Sequence, residues 1–463
     1  MSGRRVFIDF GSTFTKVVAF DLDRETLLGR VQSPSTVDTD VNLGLDRALD
    51  ELRRTVAVSE EDIRSALACS SAAGGLRMVC VGLVPEYTTE AGRLAALGAG
   101  AKVVGSFSYE MTRSELRELE ALKPDIVLLT GGTDGGNRRT ILHNGERLAS
   151  SDKLHNVIVA GNKSAGDELR EIFADSGQNV VFASNVMPEF GRLDIEPVNR
   201  VIREMFIGRI TEAKGVDRAR QRIGDVVMPT PSAVLAGAKV LADGTYEEAG
   251  LGPLMVVDVG GATTDVYSVA EGVPRKAGVA YVGLPEPYAK RSVEGDLGLF
   301  HNLDALMELA AKEHLEFQGG ESREEVLLGL REVLGVPAGD VQTRDQLLLS
   351  RLAVRTAADR HVGRLECRMT TNGETWVQRG KDLTELKTVL GAGGPLAFSA
   401  DPLFVLKGAA GSDDPAVLKP RAPRYLLDSR YILFAVGLLS LTEPEKALRI
   451  FKKYVRELAP AEG

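Results

Sequence analysis

Cysteine, aromatic residues and long apolar segments are all scarce in this sequence. Its 463 residues contain three cysteines and 5% aromatic residues. Cys69, Cys80 and Cys367 lie far apart and form no Cys-x-x-Cys pair, which argues against a disulfide framework and a structural zinc site. No stretch of about 18 apolar residues occurs, and the first residues lead directly into a strand-like pattern. We therefore expect a cytoplasmic protein without a membrane span or export signal.

An excess of positive charge is missing as well. The formal net charge is -9, and acidic and basic residues are mixed along the chain. A basic face for nucleic acid or anionic lipid is not indicated, so we expect neither a nucleic-acid partner nor a membrane partner. The five histidines do not cluster at the spacings of metal ligands. They are His143, His155, His301, His314 and His361.

The composition is typical of a soluble α/β protein, because 44% of the residues are hydrophobic, 26% are charged and 49 are glycine. The length suggests two or three domains at about 100 to 200 residues each. Residues 4–23 read as strand, glycine turn and strand, and 44–56 as an amphipathic helix. Residues 228–243 predict a helix that starts at a proline, and residues 300–365 are mostly helical by period, including 322–335.

Residues 60–190 have a different sequence pattern, in which short apolar strands alternate with helices that have one polar face. This alternation predicts parallel strands joined by crossover helices. One strand runs into the glycine-rich segment "LLTGGTDGGN", residues 128–137. Such a segment at the carboxyl edge of a sheet is consistent with a ligand or partner site, and equally with a tight turn into the next helix.

Two segments share an unusual turn. "FIDFGSTFTKVVAFD" near the N-terminus and "VVDVGGATTDVYSV" at 256–269 each end an apolar strand in Asp, then place a residue, Gly, a small residue and a hydroxyl before a second strand. One copy could be an ordinary hairpin, since Gly, Asp and Thr all suit turns. Two copies about 250 residues apart, each opening a predicted three-stranded meander, predict a pair of facing turns that form a clamp.

The residue types of these turns suit phosphate groups. Glycine lets backbone N–H groups approach an anion, and hydroxyls add donors without adding charge. Asp9 and Asp258 would repel phosphate directly but can hold magnesium, which prefers carboxylates, waters and phosphate oxygens. The predicted catalytic and metal residues are therefore Asp9 and Asp258. The predicted phosphate-binding residues are Gly11, Ser12, Thr13, Lys16, Gly260, Gly261, Ala262 and Thr263. For Lys16, a solvated position on its strand explains the sequence equally well.

In this pattern the chain resembles the actin-like ATPase superfamily, which includes actin, hexokinase and the heat-shock chaperone ATPase domains. The two turns match its phosphate loops. Pro229 with Gly237 resembles the first connecting helix, and Ala435 with Gly437 the second. The resemblance to the adenosine loop lies in "VLGAGG", with Gly391, Gly393 and Gly394.

The superfamily resemblance implies a bilobal α/β fold of two ribonuclease H-like domains that bind ATP and Mg²⁺ between them. It divides the chain into a first lobe at 1–250 with an α/β insertion at about 60–190, and a second lobe at 251–430. The second lobe would carry a helical subdomain at about 300–385. Helices at 431–463 would pack back on the first lobe.

One departure from the superfamily concerns hydrolysis. The related chaperones carry a glutamate before the first connecting-helix proline, where it positions the attacking water, and this sequence has Met228. Glu294 and Asp296 are candidate replacements, although a polar loop explains them equally well. A small-molecule kinase with Asp265 as general base, an actin-type filament protein and a scaffold that holds ATP without hydrolysing it all stay open.

Longer phrases give a closer resemblance, among them "GSTFTKVVAFDL", "SSAAGGLRMVCVGLVPEYT", "VDVGGATTDVYSV" and "SVEGDLGL". They are similar to the glutamate mutase accessory family called MutL or GlmL, which is unrelated to the mismatch-repair MutL, from near residue 5 to about 440. The resemblance implies an ATP-dependent chaperone that releases inactivated cobalamin from an adenosylcobalamin-dependent mutase or aminomutase. We expect the inserted segment at 60–190 either to contact that enzyme or to be a structural elaboration.

Overall fold

The computed structural model describes residues 3–37, 39–71, 76–210, 215–317, 325, 344–371 and 373–459. The helix expected at 322–335 therefore lies outside the described residues, apart from Glu325. In the described part of the chain, no helix is both long enough and apolar enough to cross a membrane.

The strands are numbered here in chain order. They are β1 (Arg4–Phe10), β2 (Phe14–Asp21), β3 (Thr26–Pro34), β4 (Leu67–Ser70), β5 (Arg77–Gly82), β6 (Lys102–Ser108), β7 (Ile126–Leu129), β8 (Asn156–Val159), β9 (Asn179–Phe182), β10 (Val226–Pro229), β11 (Leu254–Val259), β12 (Thr264–Val269), β13 (Val279–Tyr281), β14 (Ala289–Glu294), β15 (Arg364–Thr370), β16 (Gly373–Arg379), β17 (Thr388–Ala392), β18 (Arg424–Leu427) and β19 (Arg456–Leu458).

The α-helices follow the same convention. They are α1 (Val41–Thr55), α2 (Glu60–Arg64), α3 (Glu90–Gly98), α4 (Arg113–Ala121), α5 (Arg139–Ala149), α6 (Gly166–Phe173), α7 (Glu196–Ile210), α8 (Val216–Arg222), α9 (Thr230–Asp243), α10 (Leu303–Lys312), α11 (Arg344–His361), α12 (Gly394–Ala397), α13 (Pro402–Leu406), α14 (Leu433–Leu439) and α15 (Pro444–Tyr454).

When both are read from the third strand of the meander, the sheets of the two lobes share the same order over five strands, and the second sheet has one additional edge strand, β19. The first runs β10-β4-β1-β2-β3, and the second runs β14-β12-β11-β17-β18-β19. In each sheet three strands form an antiparallel meander, and two later strands lie parallel beside the first strand of that meander. This repetition is the duplicated ribonuclease H-like arrangement of the actin-like fold, so the expected α/β fold class is confirmed.

Two helices cross in close contact between these sheets. A β-carbon on Gly437 of α14 would overlap the carbonyl oxygen of Ala233 in α9, and one on Gly237 would lie 2.9 Å from the carbonyl oxygen of Leu433. Glycine at both positions lets the helix backbones touch. The carboxylate of Asp428 caps the start of α14 by accepting hydrogen bonds from the backbone N–H groups of Ile432 and Leu433. The pair corresponds to the two connecting helices implied by the resemblance.

The inserted segment contains a third sheet, with the order β6-β5-β7-β8-β9 and all neighbours parallel. Helices α3 to α6 connect its strands, as the alternating pattern predicts. We call residues 77–182 the inserted domain.

The glycine-rich segment after β7 is held in place by the side chains of Asn162 and Asn185. These side chains form hydrogen bonds with backbone groups of Gly132, Gly135, Gly136 and Asn137. These bonds favour the tight-turn interpretation of that segment.

Two expectations about the second half of the chain need adjusting. Helix α11 ends at His361, and residues 364–379 form the antiparallel pair β15 and β16, so the helical region is shorter than the expected 300–385. The alternation of polar and apolar residues around Gly373 explains this hairpin. At the C-terminus, α15 does contact the first lobe through an Arg449–Glu25 ion pair, but β19 joins the sheet of the second lobe.

Candidate functional site

The two turns singled out in the sequence have the same backbone geometry. The N–H of Gly11 donates to the carbonyl oxygen of Phe14 at 3.1 Å, and the N–H of Gly260 donates to that of Thr263 at 2.9 Å. In both copies the bond spans three residues and starts two residues after the strand-end aspartate. The sequence repeat is therefore also a structural repeat.

The turns face each other across the space between the lobes. A β-carbon on Gly261 would lie 3.2 Å from Oγ1 of Thr13 in the opposite turn and 3.3 Å from Cβ of Phe300. Glycine at this position leaves room for the first turn to approach. The facing arrangement that two copies predict is present in the structure.

A cleft of about 790 Å³ opens between these turns. Nearly all of the residues predicted from the two turns and the adenosine loop line this cleft. They are Asp9, Gly11, Ser12, Thr13, Lys16, Asp258, Gly260, Gly261, Ala262, Thr263 and Gly394.

Gly391 and Gly393 lie next to the cleft rather than on its wall. Gly391 lies inside β17, where a β-carbon would be 2.7 Å from Cδ1 of Leu406. Glycine at this position therefore allows Leu406 to pack against the strand. Gly393 has a φ of +91°, and a β-carbon on it would lie 2.6 Å from Oδ1 of Asp258. It brings the adenosine loop against the second aspartate. A nucleotide-binding role for Gly391 and Gly393 stays a prediction.

Asp9 is fully buried and already has hydrogen-bond partners. Nζ of Lys16 lies 2.8 Å from its Oδ2, and Oγ1 of Thr230 donates to its Oδ1 at 2.5 Å. Lys16 also donates to the hydroxyl of Tyr431 at 2.9 Å. Burial by itself lowers the pKa of Lys16, but the charge of Asp9 and the contact with Tyr431 outweigh it and raise that pKa above its usual value. Lys16 is thus a buried cation held by Asp9.

Asp258, the equivalent residue in the second turn, has a different environment. Among the described residues, no hydrogen-bond donor is recorded for its carboxylate. Burial, reinforced by the charge of nearby Asp265, raises the pKa of Asp258 to about 7. A carboxylate that lines a cleft without a partner is suited to meet a cation.

Asp265 is not free in the same way. Nε and Nη2 of Arg291 donate to its Oδ1 at 2.9 and 2.7 Å, and Oγ1 of Thr263 donates to its Oδ2 at 2.8 Å. Both carboxylate oxygens are therefore engaged. A kinase would need an unoccupied carboxylate to accept the proton of its substrate hydroxyl, so this geometry does not favour Asp265 as a general base.

Magnesium fits these residues unequally. Asp258 offers oxygens that no described residue hydrogen-bonds, whereas Asp9 is already neutralised by Lys16. Magnesium in nucleotide sites typically takes one or two carboxylates together with waters and phosphate oxygens. Asp258, with Asp9 behind it, fits that pattern. Within the described residues, no three His, Cys, Asp or Glu side chains are grouped as a metal site.

The residues considered for positioning the attacking water lie away from the cleft wall. Met228 is buried in β10 and belongs to an apolar cluster. Glu294 and Asp296 both pair with Arg360, at 2.6 and 2.8 Å, and do not line the cleft. The structure favours the polar-loop interpretation of these two acidic residues.

The cleft also includes residues that sequence reasoning missed. Gln346, Leu349 and Ser350 recur at helical spacing on α11 and line the cleft together with Gly394. That spacing could have indicated a shared face, but nothing in the sequence shows which partner the face meets. Lys102 and Arg291 also line the cleft. Their participation depends on how the inserted domain and the second lobe come together.

Comparisons with known proteins agree over nearly the whole chain. The family model described as "MutL protein" matches residues 5–455. "Protein MutL" of Clostridium tetanomorphum is 42% identical over 455 residues, which cover 97% of this chain and 98% of that protein.

Solved structures give weaker likenesses. The activator of the 2-hydroxyisocaproyl-CoA dehydratase from Clostridium difficile with bound ADPNP has a TM-score of 0.32 at 10% identity, covering 99% of this chain and all of that one. Component A of the (R)-2-hydroxyglutaryl-CoA dehydratase of Acidaminococcus fermentans has a TM-score of 0.30 at 12% identity, covering 97% and 98%. These scores are too low to add to the strand-order argument. The family match is decisive: the chain belongs to the MutL protein family, the one associated with glutamate mutase and not with DNA repair.

Proposed function

We propose that this protein binds ATP with magnesium between its lobes and uses it to reactivate an adenosylcobalamin-dependent mutase or aminomutase. The observation that carries the proposal is the pair of matching turns, which face each other across one cleft. The cleft is also lined by Asp258, whose carboxylate has no hydrogen-bond donor among the described residues. Membership of the glutamate-mutase-associated family supports the choice of partner class. Because all three cysteines are free thiols, the proposed location is the reducing cytoplasm.

The lining of the cleft suits both parts of ATP. Backbone N–H groups and the hydroxyls of Ser12, Thr13 and Thr263 provide donors for the phosphates. Leu349, Ser350 and Gly394 provide apolar surface with polar groups, which is suited to adenosine. Bound magnesium would neutralise part of the phosphate charge. Asp258 would hold it, and Lys16 would keep Asp9 in place behind it.

Hydrolysis is expected to be slow. The residue that precedes Pro229 is a buried methionine, which has no group able to accept a proton from water. Slow turnover is compatible with a release factor, since such a protein needs two conformations with different affinity for its partner and not rapid catalysis. The crossing helices α9 and α14 lie between the lobes, where closure around a nucleotide would be transmitted.

A reactivation assay tests the proposal directly. A purified adenosylcobalamin-dependent mutase is loaded with hydroxocobalamin, and the corrinoid set free is measured by its absorbance after the protein and Mg-ATP are added. We expect release with ATP and little release with ADP or without magnesium. Equal release under all of these conditions would contradict the proposal. Stoichiometric phosphorylation of a small metabolite would show that the cleft serves a kinase instead.

A further inference from the structure

The junction between α3 and β6 of the inserted domain, residues 97–102, touches both lobes. From the side of the first lobe, Oγ of Ser232 at the start of α9 donates to the carbonyl oxygen of Ala99 at 2.9 Å. From the second lobe, Nη1 of Arg291 donates to the carbonyl oxygens of Leu97 and Ala101, at 3.3 and 2.9 Å. Arg291 is the residue that pairs with Asp265 behind the second turn. The junction is therefore hydrogen-bonded to an element next to each side of the cleft.

Lys102 is the last residue of this junction, and its side chain reaches the cleft. A β-carbon on Gly295 would lie 2.7 Å from Nζ of Lys102 and 3.1 Å from Cε, so the lysine passes directly over that glycine. The phrase "VEGDLG" noted in the sequence thus has a structural use, because its first glycine makes room for a side chain from another domain. A larger residue at position 295 would displace the lysine.

The position of Gly295 places this lysine beside the second turn. In the pairing of β12 with β14, Thr264 lies opposite Glu294. Gly295 follows Glu294, and Thr263 precedes Thr264. Because the strands are antiparallel, Gly295 and Thr263 are neighbours just beyond the end of the ladder. Adjacent strands lie about 4.8 Å apart. The ammonium group of Lys102 is consequently close to the hydroxyl and backbone groups that are proposed to hold phosphate.

The ammonium group of Lys102 is also available for a ligand. Within the described ranges, Nζ of Lys102 makes no hydrogen bond. Asp296 interacts with it electrostatically, but Asp296 and Glu294 are both paired with Arg360. The other cations of the cleft are committed, since Lys16 pairs with Asp9 and Arg291 with Asp265. An unpaired ammonium group beside a phosphate turn is a strong anion-binding group.

We infer that Lys102 binds the phosphate chain of the nucleotide, so that the inserted domain itself contacts the ligand held between the lobes. This inference rests on the proposed nucleotide site and extends it. The inserted domain would then be connected directly to the nucleotide, because gain or loss of phosphate at the second turn would change the contacts that hold residues 97–102 in place. The inserted domain would then differ in position between nucleotide states.

The test compares affinities for ATP and adenosine by isothermal titration calorimetry. Lys102→Ala should weaken binding of Mg-ATP about ten- to one-hundred-fold, which is typical for loss of one charge-assisted hydrogen bond, and should leave adenosine binding unchanged. Lys102→Arg should retain most of the ATP affinity because it keeps the charge. Lys163→Ala, which removes an exposed lysine of the same domain outside the cleft, serves as the control and should match the unaltered protein.

The outcomes separate this inference from the proposal on which it rests. If the unaltered protein binds no Mg-ATP, both are overturned. If it binds Mg-ATP and Lys102→Ala binds it equally well, only the role of Lys102 is overturned. If Lys102 only stabilised the contact between the domains, Lys102→Ala would lower the melting temperature of the free protein without changing the ratio of ATP to adenosine affinity. That result would also contradict the inference.

Discussion

Individual residues of the candidate site show what a sequence can and cannot predict. The two aspartates and the glycines of the turns could be found because their order repeats, and the structure brings them into one cleft. The sequence left open whether Lys16 meets phosphate or solvent. The structure pairs it with Asp9, directly across the hairpin, where register places residues 9 and 16 opposite each other. The equivalent position in the second turn holds Asp265, opposite Asp258.

These register pairs explain why two similar turns have different electrostatics. A lysine across from Asp9 satisfies that carboxylate, whereas an aspartate across from Asp258 repels it and contributes to its raised pKa. Arg291 balances Asp265 from the neighbouring strand β14. The repeat was visible in the sequence, but the consequence of one changed residue required the strand pairing.

Lys381 supports a prediction about pH at the residue scale. Its side chain is 1% exposed, and Nζ donates to the carbonyl oxygens of Ala270 and Tyr288 at 2.7 Å each. Burial, opposed by the charge of Glu286 and assisted by that of Lys290, lowers the pKa of Lys381 to about 7. Between pH 7 and the ordinary lysine pKa, the unfolded chain therefore binds a proton that the folded protein does not.

Stability conferred by Lys381 should consequently rise with pH. The free energy of unfolding of the unaltered protein, minus that of Lys381→Met, should increase by up to about 1.4 kcal/mol per pH unit from pH 7 to 9. Urea unfolding at pH 7, 8 and 9 measures this difference. A difference that stays constant or falls as pH rises would show that the lysine is charged in the folded protein throughout this range.

At the scale of elements, local sequence patterns predicted whether a segment is a helix or a strand better than they predicted how these elements are arranged. The helix at 44–56 and the alternation at 60–190 correspond to α1 and to the inserted domain. Nothing local indicates that β6 lies at the edge of its sheet beside β5, or that the α3–β6 junction contacts the second lobe. Both depend on contacts between residues far apart in the chain. The hairpin at 364–379 begins where the helical period ends, near residue 365, and only the superfamily resemblance placed it in a helical subdomain.

The crossing of α9 and α14 gives a prediction for an element contact. Gly437→Ala should lower the free energy of unfolding by at least about 1 to 3 kcal/mol, because the added methyl group meets the backbone of α9 and the helices must separate. Gly208→Ala provides a matched control. It lies in α7, and a β-carbon there meets nothing within 4 Å.

The control should have the opposite sign. Alanine at an exposed helix position is favoured over glycine by about 0.5 to 1 kcal/mol. Thermal unfolding of both variants measures the contrast. Equal effects of the two substitutions, or a stable Gly437→Ala protein, would show that the backbones of α9 and α14 do not touch as described.

At the scale of the whole molecule, the inserted domain is attached to the two lobes in a way that the sequence did not reveal. It contributes Lys102 to the cleft and provides carbonyl acceptors for Arg291. Deleting it would leave a buried arginine without these partners, so deletion is a poor test of whether it contacts the mutase. Substitutions of exposed residues are better suited.

Two exposed aromatic side chains of this region are suitable positions. Tyr109, just beyond β6, is 62% exposed. Phe190 follows the inserted domain in the chain, packs against Tyr87 of that domain and is 72% exposed. If the inserted domain contacts the mutase, Phe190→Ser combined with Tyr109→Asn should reduce capture of the mutase in a pull-down and leave ATP binding intact. Asparagine is chosen because Tyr109 has a positive φ, which asparagine tolerates.

The matched control for this experiment is Tyr246→Ser, which removes a fully exposed aromatic residue elsewhere on the molecule. It should capture the mutase as the unaltered protein does. Full capture by the double variant would support the alternative from the sequence, in which the inserted domain is an elaboration of the first lobe that does not touch the partner.

The central claim is that the two facing turns hold Mg-ATP with Asp258 as the principal carboxylate, and one calorimetric comparison tests it. Titration of Mg-ATP into Asp258→Ala should show binding reduced at least about one-hundred-fold, since a buried charged contact is lost. Asp413→Ala, which removes an exposed aspartate of the second lobe, should bind as the unaltered protein does. Undiminished, magnesium-dependent binding by Asp258→Ala would contradict the account.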